Sequence, residues 1–157
     1  MTDAQSTSQH SLRATVHQKA FQEIAKKMKF LQPPNWPRPK GYANGVATKG
    51  NILFLSGVVG WNAQGQFAAR DFAAQVRQAL LNIVEILGQA KAKPEHIARM
   101  TWYVLDKSEY MAAAKEMGAA YREIIGRHYP AMTVVEVSGL VEADARVEIE
   151  VTAVVPE

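Results

Sequence analysis

There is no cysteine anywhere in the 157 residues of this chain. Disulfides, thiolate nucleophiles and cysteine-based zinc sites are therefore excluded, which agrees with a reducing compartment. Long hydrophobic runs are absent too, and no stretch is apolar for the length a bilayer requires. The opening MTDAQSTSQH has no apolar core of the kind a secretion signal needs, so the expected location is cytoplasmic. The four histidines, His10, His17, His96 and His128, are scattered without metal-ligand spacing, and no metal is expected.

A strong overall charge is also lacking, at a net of +3, and what there is sits unevenly. Residues 1–40 hold seven Lys/Arg against Asp3 and Glu23, a net of +5, whereas the other 117 residues carry a net of −2. The basic balance belongs to the leader and not to the body, so a protein-wide nucleic-acid footprint is not indicated. What remains is one domain of ordinary composition, long enough to bury a core.

Residues 1–10 are small and polar and are expected to be disordered. From Ser11, a plausible N-cap, Leu12, Val16, Ala20, Phe21, Ile24, Met28 and Leu31 recur at helical steps, with Arg13, Lys19, Lys26 and Lys27 opposite. The pattern predicts a basic amphipathic helix over 11–31. Such a helix suits a membrane or RNA surface, but more commonly packs on its own domain or a neighbouring subunit. Residues 32–40 follow as a proline-rich, stiff, extended connector that delivers the chain to Tyr42.

Residues 41–157 form the predicted body. Tyr42–Ala47 and Ile52–Ser56 read as a hairpin around Lys49-Gly50-Asn51, and Ile52–Leu55, apolar on both faces, reads as a strand buried in the sheet. Asp71 opens a helix striped by Phe72, Val76, Ala79, Leu80, Ile83, Val84 and Leu87. A single turn at Pro94-Glu95-His96 leads into a strand over 97–105. A second helix over 108–125 is striped by Tyr110, Ala114, Met117, Tyr121 and Ile124, with Gly126 as its C′ residue. Two strands close the chain, and the second alternates strictly: Val147, Ile149 and Val151 on one face, Glu148 and Glu150 on the other. Two helices on one mixed sheet make a two-layer α+β domain. Its second sheet face stays apolar, which a closed oligomer would bury.

Over residues 38–156 the chain resembles the Rid superfamily, the YjgF-like or L-PSP proteins. The pieces that carry the resemblance are Gly-Tyr-x-x-Gly-Val at 41–46, Gly-Asn-x-x-Phe-x-Ser-Gly at 50–57, and Gln75 and Asn82 on the first body helix. Pro130-Ala131, Val-Glu-Val at 135–137, Leu140 and Val-Glu-Ile-Glu at 147–150 complete them. The resemblance implies a chorismate-mutase-like α+β fold and a homotrimer forming a barrel with a cleft at each subunit interface. It also implies hydrolysis of reactive enamines and imines to a carbonyl compound and ammonia, with neither metal nor organic cofactor.

Carried over by motif, the water-orienting glutamate falls on Glu148, the cleft tyrosine on Tyr42, and the Ser-Gly wall on Ser56 and Gly57. The family's substrate-gripping arginine, directly after Pro-Ala, falls on Met132, and a thioether cannot hold a carboxylate. An asparagine of the second helix is missing from Met117-Gly118-Ala119. The expectation is therefore a deaminase of altered specificity, with Met132, Trp61 and Asn62 lining a roomier pocket for a larger or aromatic-derived substrate such as an aminomuconate-like compound. Arg38, Lys40 and Arg127 are candidates for a replacement cation. Each has a bland alternative: a solvated Glu148, a packing Tyr42, surface cations, and a loop His128 that is merely solvated and not an acid–base group. A catalytically silent paralogue that binds a metabolite or partner enzyme is the alternative function. RNA binding or cleavage is the least supported, and no membrane partner is expected.

Overall fold

The computed structural model describes residues 28–157. The expectations for residues 1–10 and for most of the leader helix, 11–27, lie outside the described residues. Where the described chain begins, it departs from expectation. Met28–Leu31 is a strand, β1, not the last turn of a helix, and it pairs antiparallel with β2, Gly45–Thr48, from Met28 opposite Thr48 to Leu31 opposite Gly45. The proline-rich segment is consequently the closed loop of this pair and not an extended spacer. Gln32 holds it shut, donating its Nε2 to the Trp36 carbonyl at 3.0 Å and accepting from Asn44 Nδ2 at 2.7 Å.

The main sheet has four strands in the order β3-β6-β4-β5: β3, Asn51–Val59; β6, Val147–Val155; β4, Ile97–Val104; β5, Ala131–Glu136. β4 and β5 are parallel and the other two pairings antiparallel. The expected hairpin between β2 and β3 is not formed, because β2 pairs with β1 and β3 with β6. β3 is thus an edge strand and not a buried one. Leu55 and Val58 face the core, and a register shift between them leaves Ser56 and Gly57 outside it.

Three helices among the described residues cover one face. The longest, α1, spans Phe72–Gln89 and is capped by Asp71, whose carboxylate accepts from the Ala74 amide at 2.8 Å. Its stripe of Phe72, Val76, Ala79, Leu80, Ile83 and Leu87 is buried against Met100, Trp102, Ile149 and Val151. Fully burying each of the larger aliphatics contributes about 1.5–3 kcal/mol. The second predicted helix is two: α2, Lys107–Ala112, and α3, Ala114–Ile124. Ala113 interrupts them with ψ near 2°, although its amide still reaches the Glu109 carbonyl and its carbonyl the Met117 amide.

Strand periodicity then assigns the faces. Met100, Trp102 and Val104 of β4, Val147, Ile149 and Val151 of β6, and Met132 and Val134 of β5 point to the helices. Tyr103, Glu148, Glu150, Ile52 and Phe54 point the other way, onto a face that none of these three helices covers. Phe54 is 80% exposed there and Ile52 57%.

Candidate active site

Along β5 the sheet ends, and between that edge and α2–α3 lies a cavity of about 600 Å³. Its floor is Trp102, Met132 and Val134; α2 and α3 contribute Tyr110, Met117, Gly118, Tyr121 and Arg122. Lys40, Gly41 and Tyr42 close one side. They are held against the start of β5 because the Ala43 amide donates to the Pro130 carbonyl at 2.8 Å and Ala43 bridges to Ala131. The motif residues Tyr42 and Met132, far apart in sequence, therefore share one cavity.

The walls are more aromatic than the sequence suggested. Tyr121 and Tyr129 stack with centroids 5.6 Å apart and planes 9° apart, and the Tyr121 hydroxyl donates to the His128 carbonyl at 2.8 Å. Burial pushes the Tyr121 hydroxyl well above the ordinary tyrosine range and raises that of Tyr110, so both remain neutral donors. The buried Trp102 Nε1 has no acceptor among the described residues. It sits in the floor as an unpaired donor, a cost that packing elsewhere must offset.

Glu148 is not in this cavity. It lies on the bare face of the sheet, opposite Tyr103 on β4 and Val59 on β3. Its side chain is half-buried and has no hydrogen bond or ion pair to any described residue. Gly57 makes room for it: a methyl built there would lie 2.5 Å from Glu148 Cδ and 2.8 Å from Cγ. Gly57 and Glu148 thus lie together, but on the opposite side of the sheet from Tyr42 and Met132. Glu150 on the same face accepts from the Tyr103 hydroxyl at 3.1 Å, and Glu136 accepts from the Lys107 amide at 2.8 Å. Those two carboxylates hold structure.

Trp61 and Asn62 are not brought to the cavity. Trp61 rests on Phe67 at 6.3 Å, and its carbonyl accepts from Asn82 at 2.8 Å. Asn62 Oδ1 accepts from the Gln64 and Gln66 amides, both at 3.0 Å, and so shapes its own turn. Of the candidate cations only Lys40 lines the cavity. Arg38 and Arg127 line a neighbouring groove of about 430 Å³ that shares Tyr42 and Tyr129 with it. His128 is not a solvated loop residue: its Nε2 lies 2.6 Å from the Ile97 carbonyl, and burial lowers its pKa. Arg122, the other cation of the cavity, escaped the sequence reading. The one signal for it was its position a helical turn after Gly118.

Fold and cavity together describe a two-layer α+β protein with a cavity in the size range of small-molecule sites. Comparison with known proteins makes it specific: the chain belongs to the Endoribonuclease L-PSP family, whose profile matches residues 36–155. These are the Rid or YjgF-like proteins that the motifs resembled. A RutC family protein of Pyrococcus horikoshii is 32% identical, covering 76% of this chain and 91% of that relative. A protein of Escherichia coli named 2-iminobutanoate/2-iminopropanoate deaminase is also 32% identical, covering 80% of this chain and 97% of its own. The crystal structure of the Rid family protein YyfB from Yersinia pestis superposes with a TM-score of 0.71 at 29% identity, over 82% of this chain and 99% of that one. The α+β sandwich expected from the residues is the fold observed. No helix among the described residues is long and apolar enough to cross a membrane.

Proposed function

We propose that this protein is an imine or enamine deaminase whose active site is assembled between copies of the chain. The observation that carries this reading is the division of the motif residues between two faces. Tyr42 and Met132 line a cavity on the helix side, while Glu148 stands unpaired on the bare side. Within one chain the sheet separates them. In a closed homotrimer each bare face meets a neighbour, and each copy gives its Glu148 to one cavity and receives another's at its own. The exposed Phe54 and Ile52 give that face the apolar surface such an interface needs.

The chemistry asks little of the protein. Water adds to the carbon of the C=N bond while a carboxylate takes one of its protons and passes it to nitrogen; the hydroxyl proton of the resulting carbinolamine then reaches nitrogen by the same carboxylate, the C–N bond breaks, and ammonia leaves a carbonyl behind. Glu148 is the group that accepts and returns the proton. Tyr42 and the apolar cavity hold the carbon skeleton and keep bulk water away. The Escherichia coli relative is named for imines of small 2-keto acids. Met132 and the aromatic walls point here to a larger substrate.

Subunit mixing tests the reading. Met132→Trp fills the cavity and Glu148→Gln removes the base, and each alone should abolish ammonia release from imines generated by an amino-acid oxidase. Exchanging subunits between the two variants should restore about one quarter of the sites, those pairing an intact cavity with an intact Glu148. No recovery, or a Glu148→Gln protein as active as the parent, would overturn the reading. A second reading, a metabolite-binding paralogue without turnover, draws on the loss of the cation at Met132. It would prevail if the parent protein released no ammonia across the panel.

A further inference from the structure

The cavity is lined by cations from two separate segments. Arg122 and Lys40 both line it, from α3 and from the segment before β2, and neither has an acidic partner among the described residues. No Asp or Glu among the described residues lines the cavity. Two unpaired cations at a mouth whose floor is Trp102, Met132 and Val134 create a polarity gradient, positive outside and apolar within.

Gly118 sharpens the assignment to Arg122. A methyl built on Gly118 would stand 3.3 Å from Arg122 Nη1, so the guanidinium lies back across the preceding turn, over the glycine and toward the cavity. A long helical side chain leans in that direction, and a residue larger than glycine would displace it. At about 600 Å³ the cavity is in the range of sites for whole organic ligands and is larger than a three-carbon imine needs. Tyr42, Trp102, Tyr110 and Tyr121 all line it.

Resting on the reading of this cavity as the substrate site, we infer that Arg122, assisted by Lys40, is the carboxylate-binding residue. The class of ligand it selects is a flat, conjugated carboxylate of aromatic size. The guanidinium takes the carboxylate as a two-pronged hydrogen-bond donor at the mouth, and the conjugated body lies among the aromatic rings over Met132.

Calorimetry with ligands that cannot turn over separates this from the deaminase proposal. Cinnamate should bind the intact protein, while cinnamamide, equal in shape but uncharged, and acrylate, charged but short, should each bind about tenfold or more weakly. Arg122→Met should bring cinnamate down to the level of cinnamamide and leave cinnamamide unchanged. Arg122→Lys should recover part of the difference, and Gly118→Leu should lower cinnamate binding by displacing the guanidinium. Arg122 is exposed, so these proteins should melt with the parent. Equal binding of acid and amide, or a cinnamate affinity indifferent to Arg122→Met, would overturn the inference even if ammonia release still depends on Glu148. The Arg122-dependent preference without ammonia release would uphold it while the deaminase reading falls.

Discussion

A single methyl group at position 57 is the sharpest probe of Glu148. In Gly57→Ala the new Cβ would stand 2.5 Å from Glu148 Cδ and 2.8 Å from Cγ, against about 3.5–4.0 Å for a comfortable carbon contact. The glutamate must therefore swing aside by about 1 Å or more. Its flexible end can do so at a cost of about 0.5–1.5 kcal/mol, the price of an off-rotamer side chain. That lowers Tm by no more than about 6 °C in a chain of this length. A catalytic group misplaced by about 1 Å loses roughly a hundredfold in rate. Gly60→Ala is the matched control: there the methyl would meet backbone, Gln75 O at 2.5 Å and Gln75 Cα at 2.8 Å, and α1 cannot swing. It should cost about 1–3 kcal/mol of stability or more, with activity per folded molecule retained. Ammonia release and thermal melts on the two proteins decide the matter. A Gly57→Ala protein with near-parental Tm and a parental rate would refute the assignment of Glu148.

Other perturbations test the remaining parts. Met132→Arg should raise kcat/KM on 2-aminoacrylate by about tenfold or more, since it returns a guanidinium to the cavity floor; an unchanged value would mean the anchor is not what small substrates lack. Phe54→Glu, placed at the most exposed apolar residue of the bare face, should shift sedimentation from oligomer to monomer and remove activity with it. Stability should fall on acidification. Burial depresses the His128 pKa below its ordinary 6.5, so the unfolded chain binds the proton more readily. The stability tied to the neutral ring is fully present above about pH 6.5 and declines as pH falls toward the folded-state pKa. His128→Gln should reduce that slope in denaturant titrations but not erase it, because burial shifts His96 in the same direction. An identical slope in the variant would remove His128 from the account.

Local signals were read well where they were self-sufficient. The cap and stripe of α1 and the alternation of β6 each need only a few neighbouring residues to declare an element, and both are present as expected. Gln75 shows why the first of these is robust: buried in the stripe, it is satisfied by the Ala69 and Asp144 carbonyls and the Arg146 amide. The failures were of pairing. Lys49-Gly50-Asn51 has the chemistry of a hairpin turn, yet β2 found β1 and β3 found β6. Strand partners are chosen by long-range packing, and turn residues only permit a hairpin. Met28 and Leu31 satisfied a helical spacing that their strand partners overrode.

The sequence by itself determined the layer architecture and the family, because each is written in residue identity and short-range order. Only the tertiary structure decided that Glu148 and Met132 lie on opposite faces of one sheet. Side-chain direction alternates along a strand, and the register between β4, β5 and β6 fixes which face each residue receives. Arg122, too, came into view only when α3 was laid over the edge strand. There Gly118, one helical turn before it, leaves space for the guanidinium.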